Sequence, residues 1–237
     1  MKNYFILVWI GLIMGCQTTS PRSLQDMLDE FEKDLLTQFP DYAAAMGQET
    51  ATEILILPTA EQLTDNLRFC QKYQTALEKF PNFPETPDLN QQRKEQLELL
   101  NGMIKNMTGR RSPFNNPSFY NVQPALARRI FQIKQKAPDG VERLHFTLKK
   151  IPDYFALAKE NLQNPDLEQT ATAIELQKQS IRFLTETVAN TVEEIIELQE
   201  RERLEAVIGV ALVAVKDYHA FCNSIWVELK KLEKSDN

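Results

Sequence analysis

From residue 23 onward, apolar residues recur at steps of three and four, the spacing that lines one face of an α-helix. The strict apolar–polar alternation of a half-buried strand is nearly absent, and glycine is scarce at 7 of 237 residues. The pattern predicts an all-α protein, a bundle of about seven to eight helices with a long C-terminal helix. Ser23 caps a first helix along Leu24, Met27, Leu28, Phe31 and Leu35, which stops at Phe39-Pro40. One or two further turns span Asp41 to Gly47, a natural terminator. Ile54 to Leu57 is too isolated for a strand and reads as a loop packed on the core. Pro58-Thr59 with Gln62 three residues later marks a capping-box start, for a helix running to about Phe80.

Pro81 to Asp88 carries three prolines and is a connector, after which Asn90 to about Met107 is helical along Leu97, Leu100, Met103 and Ile104. Helix returns from Ala125 to about Lys136, pauses at Ala137-Pro138-Asp139-Gly140 and resumes through Leu144, Leu148 and Ile151. Pro152 either starts a new helix or sits inside a continuous one, and Asn161 to Pro165 ends that element. Leu167, Ala171, Ile174, Ile181, Leu184 and Val188 predict one buried stripe. Thr191 with Glu194 reads as a second capping box, and the chain is expected to break near Asn190. The last helix, from about Val192 to Leu232, would be roughly 60 Å long. Its stretch Ala206 to Val215 is apolar on every side, which predicts a central, fully surrounded helix with Gly209 admitting a close neighbour.

The first twenty residues follow another rule. Lys2, the apolar run Tyr4 to Met14 and small Gly15 before Cys16 have the layout of an export signal. The run is about half of the ~20 apolar residues a spanning helix needs. Ile13-Met14-Gly15-Cys16 resembles the bacterial lipobox, which implies cleavage after residue 15 and a lipid on Cys16. Residues 16–22 would then be a polar tether and 23–237 a single all-helical domain on the membrane surface. Several acyl chains together give a stable anchor, so the membrane is an expected partner. Gln17 after the cysteine resembles the outer-membrane-sorted kind, facing the periplasm in a Gram-negative envelope.

Without Lys2 the remainder carries 26 basic and 33 acidic residues, a net charge of −7. That sign argues against nucleic acid, whose binding requires neutralising phosphates with Lys and Arg. Cys70 and Cys222 fall on apolar stripes and read as buried thiols or, in an oxidising compartment, as a disulfide pair.

Few residues suggest chemistry. The two histidines, His145 and His219, lack a helical His-Glu-x-x-His, and no Gly-x-Ser-x-Gly or phosphate-binding glycine loop occurs. The acidic group Glu193, Glu194, Glu197, Glu200, Glu202 and Glu205 alternates with Arg201 and Arg203 as a solvated helix face does. No catalytic residue, metal site or cofactor is therefore expected. Gly109 to Pro124 is the longest irregular stretch, and loops of that length inside compact domains are often functional. Its Arg110, Arg111, Phe114, Phe119 and Tyr120 combine fixed positive charge with aromatic faces, suited to a peptide, a glycan or another envelope protein. The aromatics could equally tuck into the core.

Three segments carry a family likeness: Phe39-Pro40-Asp41-Tyr42-Ala43 to Gly47; Arg143-Leu144 with Ile151-Pro152 and Ala158-Lys159-Glu160-Asn161-Leu162; and Ala206 to Trp226 with Tyr218-His219-Ala220-Phe221. They resemble the N-terminal helical region of the bacterial domain of unknown function 885 family, over residues 31 to about 230. The resemblance implies an exported, mostly helical protein, often a lipoprotein, related to helical zinc metallopeptidases. In that family the His-Glu-bearing catalytic part follows the region matched here, and none of its motif positions exists in these 237 residues. The reading is a membrane-anchored, non-catalytic binding domain, with a truncated or split peptidase-like protein as the alternative.

Overall fold

A computed structural model describes residues 23–46, 55–195 and 197–235. The leader 1–15, Cys16, the tether, Gly47 and Ile54 lie outside the described residues. Among those described there are helices and turns and no strand.

The first helix, α1 (Leu24–Gln38), opens on a reciprocal cap: the Asp26 amide donates to Ser23 Oγ at 3.0 Å and the Ser23 amide to Asp26 Oδ2 at 3.2 Å. After Phe39 comes the short α2 (Pro40–Ala45). Thr59 caps α3 (Ala60–Glu78), its Oγ1 accepting from the Gln62 amide at 3.2 Å. Pro87 occupies the first position of α4 (Pro87–Met107), three residues before the expected Asn90, because a missing N–H costs nothing in a first turn. Three of these helices, α1, α3 and α4, close over one core of Phe31, Leu35, Cys70, Tyr73, Leu77 and Leu100. The Phe31 and Tyr73 rings lie 5.1 Å apart, and Tyr73 donates its hydroxyl to Asp34 and Glu30.

A second core belongs to α5 (Gln123–Lys134), α6 (Gly140–Asn161), α7 (Leu167–Arg182), α8 (Ala189–Glu193) and α9 (Leu198–Ser235). Pro152 lies inside a continuous α6. Glu142 meets Arg203 near the start of α6, and Lys159 meets Asp217 near its end, so α6 and α9 run parallel. Phe155 on α6 stacks on Tyr218 of α9 at 4.6 Å and 24°. Leu55 is buried in this second core, while its neighbours down the chain lead into α3 of the first. Asn161 fastens that crossing by donating Nδ2 to the Pro58 carbonyl. No helix among the described residues is long and apolar enough to cross a membrane.

Four expectations for the C-terminal half need correction. Thr191 is not a cap: helix continues from α7 through a π-helical stretch, Phe183–Val188, into α8, and Thr191 Oγ1 donates to the Thr187 carbonyl at 2.8 Å. The π stretch re-phases the rod so that Leu184, Val188 and Val192 all reach the core, and the break falls after Glu193 instead of near Asn190. The final helix is not surrounded. It lies across α6 and α7 and buries Leu204, Ala211, Val215, Tyr218 and Cys222, while Val210 and Val213 remain 58% and 67% exposed. Gly209 admits no close neighbour, since a Cβ there would meet nothing within 4 Å. Hydropathy alone scores Val and Ala alike on either face, which is why the stretch reads as central.

Candidate functional site

The irregular stretch after α4 is a tightly bonded insert. Gly109 leaves the helix at φ +59°, where a side chain would be strained. Two single-turn 3-10 helices follow, Gly109–Arg111 and Pro117–Phe119. Pro113 and Pro117 prevent regular helix, and carbonyls left over by the short turns find donors elsewhere. The Phe114 carbonyl accepts from the Gln163 amide at 2.7 Å, the Asn115 carbonyl from the Asp166 amide at 3.1 Å, and the Pro117 carbonyl from the Tyr218 hydroxyl at 3.1 Å. Gln177 Nε2 donates to the Tyr120 carbonyl at 2.8 Å.

Those bonds explain a correction on α7. The buried face carries Thr170, Ala173, Ile174, Gln177 and Ser180, whereas Ala171 is exposed and Leu167 half-buried. Polar residues face inward here where the insert packs on α7: Gln177 serves the Tyr120 carbonyl and Ser180 Oγ lies 3.4 Å from Asn121 Oδ1, while Thr170 donates back to the Asp166 carbonyl.

The five residues singled out in the insert separate. Tyr120 is fully buried, its hydroxyl donating to the Pro113 carbonyl at 3.0 Å, and burial pushes the phenol up to about 12. Phe114 is half-buried. Arg111 turns to α4 and donates to Asn106 Oδ1 at 3.3 Å. Phe119, 42% exposed, lines a mostly apolar crevice of about 270 Å³ with Phe39, Tyr42, Ile56, Pro58 and Leu63. Arg110 stands in solvent over a separate, open groove of about 470 Å³, lined also by Asp166, Leu167, Glu168, Ala171, Trp226 and Lys230.

That groove collects an aromatic ring, two cations and two carboxylates. Arg110 Nε lies 3.7 Å from Asp166 Oδ2, while Asp166 Oδ1 caps α7 by accepting from the amides of Glu168 and Gln169. Lys230 Nζ stands 5.9 Å from the Trp226 ring centre and 3.0 Å from Glu233. An aromatic face with flanking charged hydrogen-bonding groups can stack on a flat ligand and hold its hydroxyl or carboxylate groups. Trp226 and Lys230 were not read from the sequence as site residues; the only local signal is a Trp with a Lys one turn later near the end of a helix.

A second polar cluster joins α6 and α9. Arg203 grips Glu142 with both terminal nitrogens, at 2.8 and 3.0 Å, and lies against the His145 ring at 3.0 Å. The bond from Arg203 holds the Glu142 carboxyl below its ordinary value; burial and the Arg203 charge hold the His145 imidazole below 6.5. His219 sits sixteen residues beyond Arg203, about 24 Å along the helix, against Asn223. Among the described residues no three His, Cys, Asp or Glu side chains are placed to hold a metal ion, so this part of the chain does not fit a zinc site. Glu193, Glu194, Glu197, Glu202 and Glu205 are exposed, as a solvated face requires. Cys70 and Cys222 are free and fully buried, one in each core. Burial pushes their thiols up to about 11 and about 12.

No family model matches the chain, and no curated protein matches it. One solved structure shares the fold with a TM-score of 0.74 and 22% sequence identity, a protein described as "a putative lipoprotein of unknown function from Shewanella oneidensis". The match covers 89% of this chain and 39% of that one, so this chain spans well under half the neighbour's length. At that identity the likeness shows the fold alone.

Proposed function

We propose that this chain is an envelope lipoprotein whose helical domain binds an acidic glycan in the groove between Arg110, the start of α7 and the end of α9, without catalysing a reaction. The observation that carries the reading is the meeting of Arg110 with Trp226 and Lys230, contributed by parts of the chain more than a hundred residues apart. The indole supplies a stacking face for a sugar ring. Arg110 and Lys230 supply charge for a carboxylate, and Asp166 and Glu168 accept from hydroxyls. The tether rests on the lipobox-like Ile13 to Cys16 and is supported by the fold shared with a protein described as a lipoprotein.

The test uses a feature of the sequence: Trp226 is the only tryptophan outside the leader, whose Trp9 is the other. A chain beginning at residue 17 is titrated with soluble peptidoglycan fragments, a polyuronate and a neutral glucan while indole fluorescence is recorded. Saturable change with an acidic glycan, weakened about tenfold by Arg110→Ala, is the expected result; a charged hydrogen bond contributes about 1.5–3 kcal/mol and tenfold is ~1.4. An unchanged spectrum with all three would sink the proposal.

A second reading is favoured by the coverage of the solved neighbour, of which 39% is matched. On that reading the chain acts beside a polypeptide supplying the remainder, including a peptidase His-Glu motif. Co-purification of such a partner would support it; an envelope pull-down that repeatedly lacks one counts against it.

A further inference from the structure

One end of the bundle formed by α1, α3 and α4 is closed by a stiff turn. Gln38 of α1 meets Asn66 of α3 at 2.7 Å, and Tyr73 reaches back to Asp34 and Glu30, so α1 and α3 run antiparallel. Gln74 of α3 meets Asn101 of α4 at 2.6 Å, and these two helices are also antiparallel. The start of α1, the end of α3 and the start of α4 therefore share one end, where residues 79–86 cross from α3 to α4. Pro81 and Pro84 fix the backbone of that turn, and α4 holds it. The Asn90 side chain accepts from the Phe83 amide at 3.1 Å and donates to its carbonyl at 2.7 Å. Arg93 donates to the Pro81 carbonyl at 3.3 Å and to Asn82 Oδ1. Phe80 and Phe83 are half-buried against the core, Pro81 and Pro84 are exposed, and Lys79 and Arg93 balance Glu85 and Asp88.

We infer that this turn is a lipid-contact surface, which sets the domain end-on against the bilayer with the groove of Arg110 and Trp226 on the far side. The inference rests on the Cys16 anchor proposed above. Chain length selects the occupant. Six residues separate Cys16 from Ser23, a reach of at most about 25 Å when fully extended, so an anchored chain keeps the bilayer within that distance of the start of α1. The 21 residues of α4 span about 30 Å, and Arg110 follows at their far end. The tether is too short to bring the groove end alone onto the lipid. Contact along the flank of the bundle is opposed by its chemistry. Five carboxylates on α1 face a single Lys33, and among the described residues no large apolar side chain left exposed lies on α1, α3 or α4. At the turn a bilayer meets two phenylalanines, two prolines and no excess of either charge, which suits the boundary between headgroups and acyl chains. The bonds from Asn90 and Arg93 already order the turn, so contact costs little further freedom. The groove is then held about 30 Å from the lipid, open to a polymer in the aqueous space.

The test supplies the anchor chemically. A chain beginning at Cys16 is coupled through that thiol to a maleimide lipid in phosphatidylcholine–phosphatidylglycerol vesicles; Cys70 and Cys222 are fully buried and do not compete. With Trp226→Phe removing the native indole, Phe83→Trp places the only one at the turn. Its emission should move to shorter wavelength on coupling and be lost to lipids brominated on their acyl chains, while Trp226 in the unaltered chain should keep its emission. Pro84→Trp at an exposed position repeats the reading should Phe83→Trp disturb packing, as circular dichroism would show. Turn probes untouched by brominated lipid overturn the inference, as does equal quenching of Trp226, which would mean that the domain lies lengthwise. Quenching of Phe146→Trp in place of the turn probes would move the contact to the exposed Phe146 of α6 and overturn it too. The mass of the protein recovered from cell membranes reads the anchor separately: a chain without lipid there removes the anchor and the inference together, whereas silent turn probes in the coupled chain remove the contact alone.

Discussion

Tyr218→Phe removes one oxygen from the place where α6, α9 and the insert meet. The Tyr218 ring is fully buried, stacked on Phe155, and its hydroxyl reaches the Pro117 carbonyl at 3.1 Å. The substitution keeps the ring and its stacking, so the loss is the hydrogen bond alone. A buried hydrogen bond contributes a net ~0.5–1.5 kcal/mol, and a carbonyl left wholly unpaired would add about 1–3. Here the Pro117 carbonyl also accepts from the Tyr120 amide at 3.3 Å, so it is not orphaned. The expected cost is therefore about 0.5–1.5 kcal/mol, a fall in Tm of roughly 1–6 °C for a chain of this size. Tyr218→Ala, which also removes the stacked ring, should cost about 3–5 kcal/mol. Urea unfolding followed by circular dichroism gives both values, and an unchanged slope would show that only stability moved. Hydrogen exchange should quicken in Asn116 to Tyr120 for the Phe variant and spare α3. Two results refute the reasoning: a cost indistinguishable from zero, meaning the insert is not held from α9, or equal costs for both variants, meaning the ring contributes nothing beyond its hydroxyl.

Asn161→Ala should cost about 1–3 kcal/mol, because the Pro58 carbonyl loses a buried donor, and exchange of amides in residues 55–59 should report the loosened crossing. His145 is held below 6.5 in the folded chain, so the unfolded chain takes up the proton first as pH falls. Its contribution is whole above about 6.5 and is lost as pH drops toward the folded-state value; His145→Gln should flatten the fall in stability below pH 6.5, measured by urea midpoints, and an unaltered slope would exclude His145 as the cause. Cys70 and Cys222 are buried with raised thiol values, so Ellman's reagent should find no reactive thiol at pH 8 in the native chain from residue 17 and two after unfolding; a thiol reacting within minutes before unfolding would contradict the burial.

Helix starts were legible because caps are local. Ser23 with Asp26 and Thr59 with Gln62 each declare a terminus within four residues, and no distant contact is needed to make those bonds. The end of the α7 rod was not legible for the opposite reason. Whether Thr191 caps a new helix or donates back to Thr187 depends on whether Val188 and Val192 already have a core to enter, and that core is made by α6 and α9. The outer face of α9 fails in the same way. Val210 is the more apolar of the neighbours Val210 and Ala211, yet it is 58% exposed and Ala211 fully buried, because α6 and α7 lie on one side only.

The groove follows from the same bonding requirement that hid it. Pro113 and Pro117 keep the stretch from regular helix, and carbonyls left over by its own turns draw donors from its neighbours: the backbone amides of Gln163 and Asp166, the side-chain amide of Gln177 and the hydroxyl of Tyr218. Each of these fixes a register between the insert and α7 or α9. Once Asn115 is bonded to Asp166 and Pro117 to Tyr218, the turn Gly109–Arg111 has to lie against the first turn of α7. Trp226, two turns beyond Tyr218 on the straight α9, is then carried to the same place. The sequence displays Arg110 as a charge in a loop and Trp226 as an aromatic on a helix. What joins them is a set of bonds between distant segments, and on α7 the inward-facing Gln177, which periodicity assigns to the outside, is the residue to read when looking for where such a loop is seated.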